Sequence, residues 1–531
     1  MNVKSLLLAF ITMSLLSFAD HLPAQAAPPP AAADAPPITA PPESFFLLVD
    51  EPDREVARGF YKKHIDVGGL PVVAAGEVAD EALVRTREIV SRMLAGRPDV
   101  LRAMVFKSMY LIIIGKDQVY TDMPEYRNDP NPAYVNERVR GTGGRPTSFG
   151  EENLLSLPLD RYDDESIAVH EFCHTIDSTL ASMDPGWEER VERAYRTAMD
   201  KGRWRLTYAA VNEGEFWAEV SQSYFDCNRV NNWNHGPVGT REQLKAYDPE
   251  TYELVRSTFN LGPAQDWRYA WKQPLPNVIP PPARFAVDPY YTKFTWAREF
   301  TVLGRGATNE SLLKANDTIR KMFTYRHDIL KALINDGVKL VVLGRAERLT
   351  DLPEAKAFAA RPGFDPLARF LDYTPETKLL VVAEENVLSD PSMPHVGDSH
   401  VIRVMARAAY RVTAGRPVDP AWESRGREVQ QYELRVQRLD VRFDEALKRV
   451  LAEALAAGKW EGTAAVHDAE AYWTQGVLAW FDACGQGTAP PDADFPMATR
   501  EALRKYDEGL FRLVRETMAY AGHVDWRYPR P

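Results

Sequence analysis

His170-Glu171-Phe172-Cys173-His174 sets two histidines four residues apart with a glutamate directly after the first. On an α-helix such residues lie one turn above each other, so both imidazoles face one point. Glu171 falls about 100° around the axis, where it can lean over a shared ion without binding it. The spacing therefore reads as two zinc ligands and the general base for a water held by the ion. The flanks suit a helix. Asp163, Asp164 and Glu165 offer negative charge for a first turn, and Ile167, Val169, Phe172 and Ile176 give apolar positions for burial. Asp177, three residues past His174, fits either a group that orients a ligand or a solvated charge.

A catalytic zinc needs a third protein ligand and one open position. The run Asn212-Glu213-Gly214-Glu215-Phe216-Trp217-Ala218-Glu219 offers two acids one turn apart, and Val220, Tyr224 and Phe225 continue an apolar pattern. A second helix is the expected context, with Phe216 and Trp217 in its core. By spacing alone either Glu215 or Glu219 qualifies as the ligand.

At these residues the chain resembles the zinc peptidase domain of the anthrax toxin lethal factor family, within the wider gluzincin group. The resemblance covers His170 to His174 and Tyr208 to Phe225. It implies a zincin-like fold, Zn2+ as cofactor and Glu215 as the third ligand. Tyr208, seven residues earlier, takes the place of a tyrosine that stabilises the tetrahedral intermediate. Glu219 resembles the residue that orients a zinc histidine in gluzincins. An extended substrate is expected along an edge strand, with Arg145 to Leu157 as its source.

The chain is also written twice. Arg97-Pro-Asp-Val-Leu-Arg-Ala-Met, Leu111-Ile-Ile-Ile-Gly and Thr121-Asp-Met-Pro-Glu125 return as Arg326-His-Asp-Ile-Leu-Lys-Ala-Leu, Leu340-Val-Val-Leu-Gly and Thr350-Asp-Leu-Pro-Glu354, all 229 residues on. Glu151-Glu152-Asn153 returns as Glu384-Glu385-Asn386, and Arg241 to Thr258 as Arg500 to Thr517. Segments in one order with slowly drifting offsets indicate a tandem duplication. Laid over the second copy, His170 and Glu171 fall on Met405 and Ala406, His174 on Ala409, Glu215 on Ala471, Glu219 on Gln475 and Tyr208 on Ala464. The second copy is expected to keep the fold, lack the metal site and contact the first copy.

Composition sets the rest. Lys4, the apolar run Leu6 to Leu16 and Ala24-Gln25-Ala26 read as a signal peptide over 1–26, followed by an Ala/Pro-rich spacer over 27–42. A catalytic domain over 43–271, a Pro-rich linker over 272–288 and a degenerate domain over 289–531 follow. A helix over Asp80 to Leu94, a strand over Tyr110 to Ile114 and a mostly helical remainder make the fold class α+β, with a small sheet in each copy. Formal net charge −11 and a pI near 5.6 argue against nucleic acid and anionic membrane as partners, and no later stretch is apolar enough for stable membrane insertion. Cys173, Cys227 and Cys484 make no disulfide framework, though a Cys173–Cys227 or Cys227–Cys484 bridge suits an exported protein, and Cys173 fits a place packed behind the metal. The expectation is a secreted or periplasmic zinc endopeptidase acting on peptide or protein. Two other readings use the same residues: a non-catalytic surface or periplasmic binding protein with a structural zinc, and a zinc amidase acting on cell-wall peptides.

Overall fold

Four consecutive apolar residues, Leu111-Ile112-Ile113-Ile114, form the central strand of the first sheet and are buried on both faces. The β-branched run resists helix and fits a pleated surface covered from both sides. The computed structural model describes residues 37–132, 135–136, 139–204, 207–229, 238–271, 277–282, 287–297, 299–323, 326–359, 364–390, 398–414, 441–484 and 499–518. The expected signal peptide, most of the spacer and parts of the linker lie outside them.

The N-terminal sheet contains β1 (Tyr61–Val67), β2 (Leu70–Ala75), β3 (Leu111–Ile114), β4 (Gly141–Thr142) and β5 (Thr147–Gly150), in the order β1-β2-β3-β5-β4. β1 and β2 form a hairpin across Gly68 and Gly69, whose φ angles of 63° and 91° are open to glycine. β3 runs parallel to β2 and to β5, and β4 returns antiparallel along the edge of β5. The C-terminal sheet, of β6 (Lys293–Ala297), β7 (Phe300–Gly304), β8 (Lys339–Leu343), β9 (Phe370–Leu371) and β10 (Leu379–Ala383), has the order β6-β7-β8-β10-β9 with the same directions. Helix predominates around both small mixed sheets.

Side-chain alternation sends the two faces of the first sheet into different cores. Leu111 and Ile113 join Val72 and Ala74 under α1 (Asp80–Met93), α2 (Pro98–Phe106), α3 (Ile167–Met183), α4 (Trp187–Asp200) and α5 (Glu213–Tyr224). Ile112 and Ile114 face Phe45, Tyr61 and Tyr110. The C-terminal half repeats the division, with Leu340 and Val342 on the helix side and Val341 and Leu343 on the other. Its main helices are α6 (Asn309–Met322), α7 (His327–Asn335), α8 (His400–Thr413), α9 (Val441–Ala456) and α10 (Ala469–Trp480). Described residues from Ile38 onward belong to one compact unit.

Three expectations change. The fold begins inside the expected spacer, because Thr39 exchanges backbone hydrogen bonds with His64 at 3.0 and 2.7 Å. α3 starts at Ile167 on a Ser166 cap, so its first turn carries no acid, and Asp163 and Asp164 are buried ahead of it. Cys173, Cys227 and Cys484 are each free and buried. No helix among the described residues is long and apolar enough to cross a membrane.

Candidate metal centre

Two capped helices carry the site. Ser166 Oγ accepts from Val169 N at the start of α3, and Asn212 Oδ1 accepts from Glu215 N at 2.8 Å at the start of α5. One indole locks their register: Trp217 Nε1 donates to Cys173 O at 3.0 Å, while Trp187 meets the Trp217 ring edge-on at 4.9 Å. Glu215 thereby arrives opposite the two histidines.

His170 Nε2, His174 Nε2 and Glu215 Oε2 form a triangle with edges of 3.2, 3.4 and 3.1 Å. Donors about 2.0–2.1 Å from a tetrahedral zinc stand about 3.3 Å apart, so these residues fit such an ion. The three residues could hold a metal ion, and two nitrogen donors with one carboxylate oxygen suit zinc chemistry. His174 and Glu215 keep side-chain exposures of 24% and 15%, which leaves a fourth position reachable from solvent.

Burial and hydrogen bonding act in opposite directions on the groups here. Burial pulls the His170 imidazole down, but its hydrogen bonds with Glu215 and Glu219 outweigh that and hold it well above its ordinary value. For Glu215 burial pushes upward, and the hydrogen bonds to His170 and His174 win, so its carboxyl stays far below the usual range. Burial raises Glu171, against the pull of His170 and His174. The Cys173 thiol is buried in the core, which pushes it up to about 12, and it stands outside the group of residues that could hold the ion.

Behind His170 lies a residue that sequence reasoning missed. Gln222 Oε1 lies 2.9 Å from His170 Nδ1, and Gln222 Nε2 donates to Ser166 O and Glu165 Oε2, both at 3.1 Å. The amide is thus fixed with its oxygen toward the ring, so Nδ1–H donates, and Nε2 is the nitrogen turned toward Glu215. Glu219, fully buried, brings Oε1 to 3.4 Å from the same Nδ1. Glu165, His170 and Glu219 form a second group that could hold a metal ion, but the Gln222 contact makes that side one of orientation. Gln222 stands seven residues past Glu215, hence on the same helix face, and that spacing was the available signal.

Tyr208, in a short 3-10 turn before α5, sets its ring 6.1 Å from the His170 ring. Asp177 is elsewhere: its Oδ1 accepts the Trp187 indole N–H at 2.6 Å, and α3 carries it toward α4 rather than toward the ligands. It anchors the helix instead of aiming an imidazole.

The edge strand is β4, not the Arg145 to Leu157 segment, whose strand β5 is paired on both sides. β4 and the glycines after it press against α3. A Cβ at Gly143 would meet His174 Cβ at 2.4 Å and Glu171 O at 2.9 Å, and one at Gly141 would meet Glu171 Cγ at 2.9 Å. Gly143→Ala is expected to push β4 off α3 at a cost of about 1–3 kcal/mol. Thermal melts would record the loss, and an unchanged melting temperature would contradict the packing.

No family model matches the chain, and no curated protein does. Among solved structures, the Pro-Pro endopeptidase of Paenibacillus alvei is similar over 35% of this chain and 96% of that chain, at 16% identity and a TM-score of 0.26. A likeness of that size carries no argument about fold or function.

The C-terminal half supplies a sharper comparison. Ser399 caps α8 as Ser166 caps α3, Asn386 Oδ1 accepts from His400 N as Asn153 Oδ1 accepts from Ile167 N, and Trp473 Nε1 donates to Ala406 O as Trp217 does to Cys173 O. These contacts shift the sequence register by two residues. His170 corresponds to Arg403, Glu171 to Val404 and His174 to Arg407, while Glu215 still meets Ala471, Glu219 Gln475 and Tyr208 Ala464. Where the first half has a ligand triangle, Arg407 reaches Glu470 and Asp372, and Arg403 lies over the Phe370 ring at 5.0 Å. Phe370 and Asp372 stand at the positions of Gly141 and Gly143, as the β4–β5 and β9–β10 registers show. A guanidinium occupies the place of the His174 imidazole, and a ring and a carboxylate stand where the first half has two glycines packed on α3.

Proposed function

We propose that this chain is an exported zinc-dependent endopeptidase whose single active site lies in its N-terminal half. The observation that carries this reading is the triangle of His170, His174 and Glu215 with Glu171 one residue from the first ligand. A bound zinc would lower the pKa of a water in the fourth position and polarise the scissile carbonyl. Glu171 takes the proton as the water attacks and passes it to the leaving nitrogen. Tyr208 donates a hydrogen bond where negative charge develops on the carbonyl oxygen. Gln222 and Glu219 hold the His170 ring so that Nε2 is turned toward His174 and Glu215, where it could bind a metal ion. The substrate backbone lies along β4, which its glycines let pack directly against α3 beside Glu171. Export rests on the amino-terminal sequence pattern alone.

Elemental analysis of the full mature chain tests the reading. Wild type is expected to carry one zinc, not two, because Arg403 and Arg407 replace the histidines of the C-terminal half. Glu215→Ala should lose most of it. A well-folded wild type without zinc after metal is supplied would remove the enzyme reading, and two zinc ions would contradict the assignment of the second half.

A further inference from the structure

We propose that Arg320, from the C-terminal half, is a positioning residue for the metal-site helix of the N-terminal half, acting through Asp163. The inference rests on the function proposed above and adds a role for the half that lacks ligands. Arg320 lies on α6 and is 1% exposed. Its own half holds it in place: Nε donates to Asn316 Oδ1 at 2.8 Å and Nη2 to Trp296 O at 3.0 Å. Asn316 is itself tied to Thr295 Oγ1 at 3.1 Å. From this fixed base Nη2 reaches across to Asp163 Oδ1 at 3.2 Å, on a carboxylate that is 3% exposed.

Asp163 stands two residues before Glu165 and three before the Ser166 cap. Those two residues supply the oxygens that fix the Gln222 amide, and Gln222 fixes His170. Asn153 holds the same loop from inside the first half, through Tyr162 O and Glu165 O at 3.0 and 2.9 Å. The loop is therefore pinned from both halves, and the imidazole orientation depends on where it sits. The contact is one-way. α1 and α6 run over matching positions of the repeat, where Arg320 corresponds to Ser91, an exposed residue. The guanidinium is thus an addition of the half without metal ligands, placed against the loop that leads to the site.

The test uses the full mature chain with Arg320→Met, Arg320→Lys and Asp163→Asn. Zinc affinity is measured by chelator competition, and kcat and KM on a peptide that wild type cleaves. Arg320→Met is expected to weaken zinc about 10–100-fold, as loss of an outer support for a ligand does, and to lower kcat with KM nearly unchanged. Arg320→Lys should recover part of both, since it keeps a charge but not the fork. Asp163→Asn, close in volume, should shift zinc affinity in the same direction and keeps the test decisive if Arg320→Met does not fold. Variants that fold and match wild type within twofold in zinc affinity and kcat overturn the proposal while leaving the zinc peptidase reading intact. A wild type that binds no zinc removes that reading, and this inference with it.

Discussion

Glu171→Gln is expected to keep one zinc per chain and to lose about 10²–10⁴-fold in kcat/KM. Glutamine matches glutamate in shape, so Ile167, Phe172 and the ligands around it need not move, but an amide cannot take a proton from the attacking water. In the folded chain Glu171 is partly exposed beside two imidazoles whose positive charge opposes the effect of burial on its carboxyl. The Nε2 and Oε2 triangle is complete without Glu171, which is what the proposed role as base requires. Comparing zinc content and turnover in one preparation separates the two roles. Full zinc with activity within tenfold of wild type would show that another group takes the proton. Lost zinc would show that Glu171 belongs to the ligand set.

Arg140→Met is expected to be the most damaging single change to the fold outside the hydrophobic core, at about 3–5 kcal/mol. Arg140 and Glu152 are 4% and 1% exposed, and the guanidinium grips the carboxylate with two nitrogens, Nη2 at 2.6 Å. It also donates to Gln118 O at 2.7 Å and Gly115 O at 3.0 Å. Removing the cation leaves a buried carboxylate and two buried carbonyls without those partners. Arg140 directly precedes β4, so the edge strand beside the metal-ligand triangle should loosen at the same time. Arg140→Lys should rescue little, because a point charge cannot serve a carboxylate and two carbonyls in one plane. The C-terminal half uses the same fork, Arg369 on Glu385 and on Gly344 O, which marks it as a device of the fold rather than of catalysis. Denaturant unfolding of Arg140→Met measures the cost, and a loss under 1 kcal/mol would show that the pair contributes little.

Much of the site is local in sequence, and what is local was readable. Two histidines one turn apart need only a helix to meet, and Ser166 and Asn212 cap the two helices that carry the ligand triangle. α1 and β3 came out within a residue of their sequence bounds because each has an unbroken pattern. Contacts made across the fold were not readable. Gln222 matters only because α5 packs with that face on α3, and Asp177 left its expected role because Trp187 came within reach. β4 is two residues long and rich in glycine, too short to show a period, so the edge was assigned to β5. In the repeat, Glu151-Glu152-Asn153 already carried the 233-residue offset that the Ser166 and Ser399 caps share, and apolar residues on both helices hid the two-residue slip.

The arginines of the C-terminal half have a consequence for how this chain can change over generations. A histidine lost from the first half could return by one substitution, since its partners still wait for it. The second half has no such path. Reverting Arg407 alone would take the cation from Asp372, at 18% side-chain exposure, and leave Glu470 with Arg411 as its remaining cation. Reverting Phe370 to glycine would strip the ring from Arg403. Each single step toward a ligand set costs stability before any ion could bind, so the second half resists gaining a centre one residue at a time.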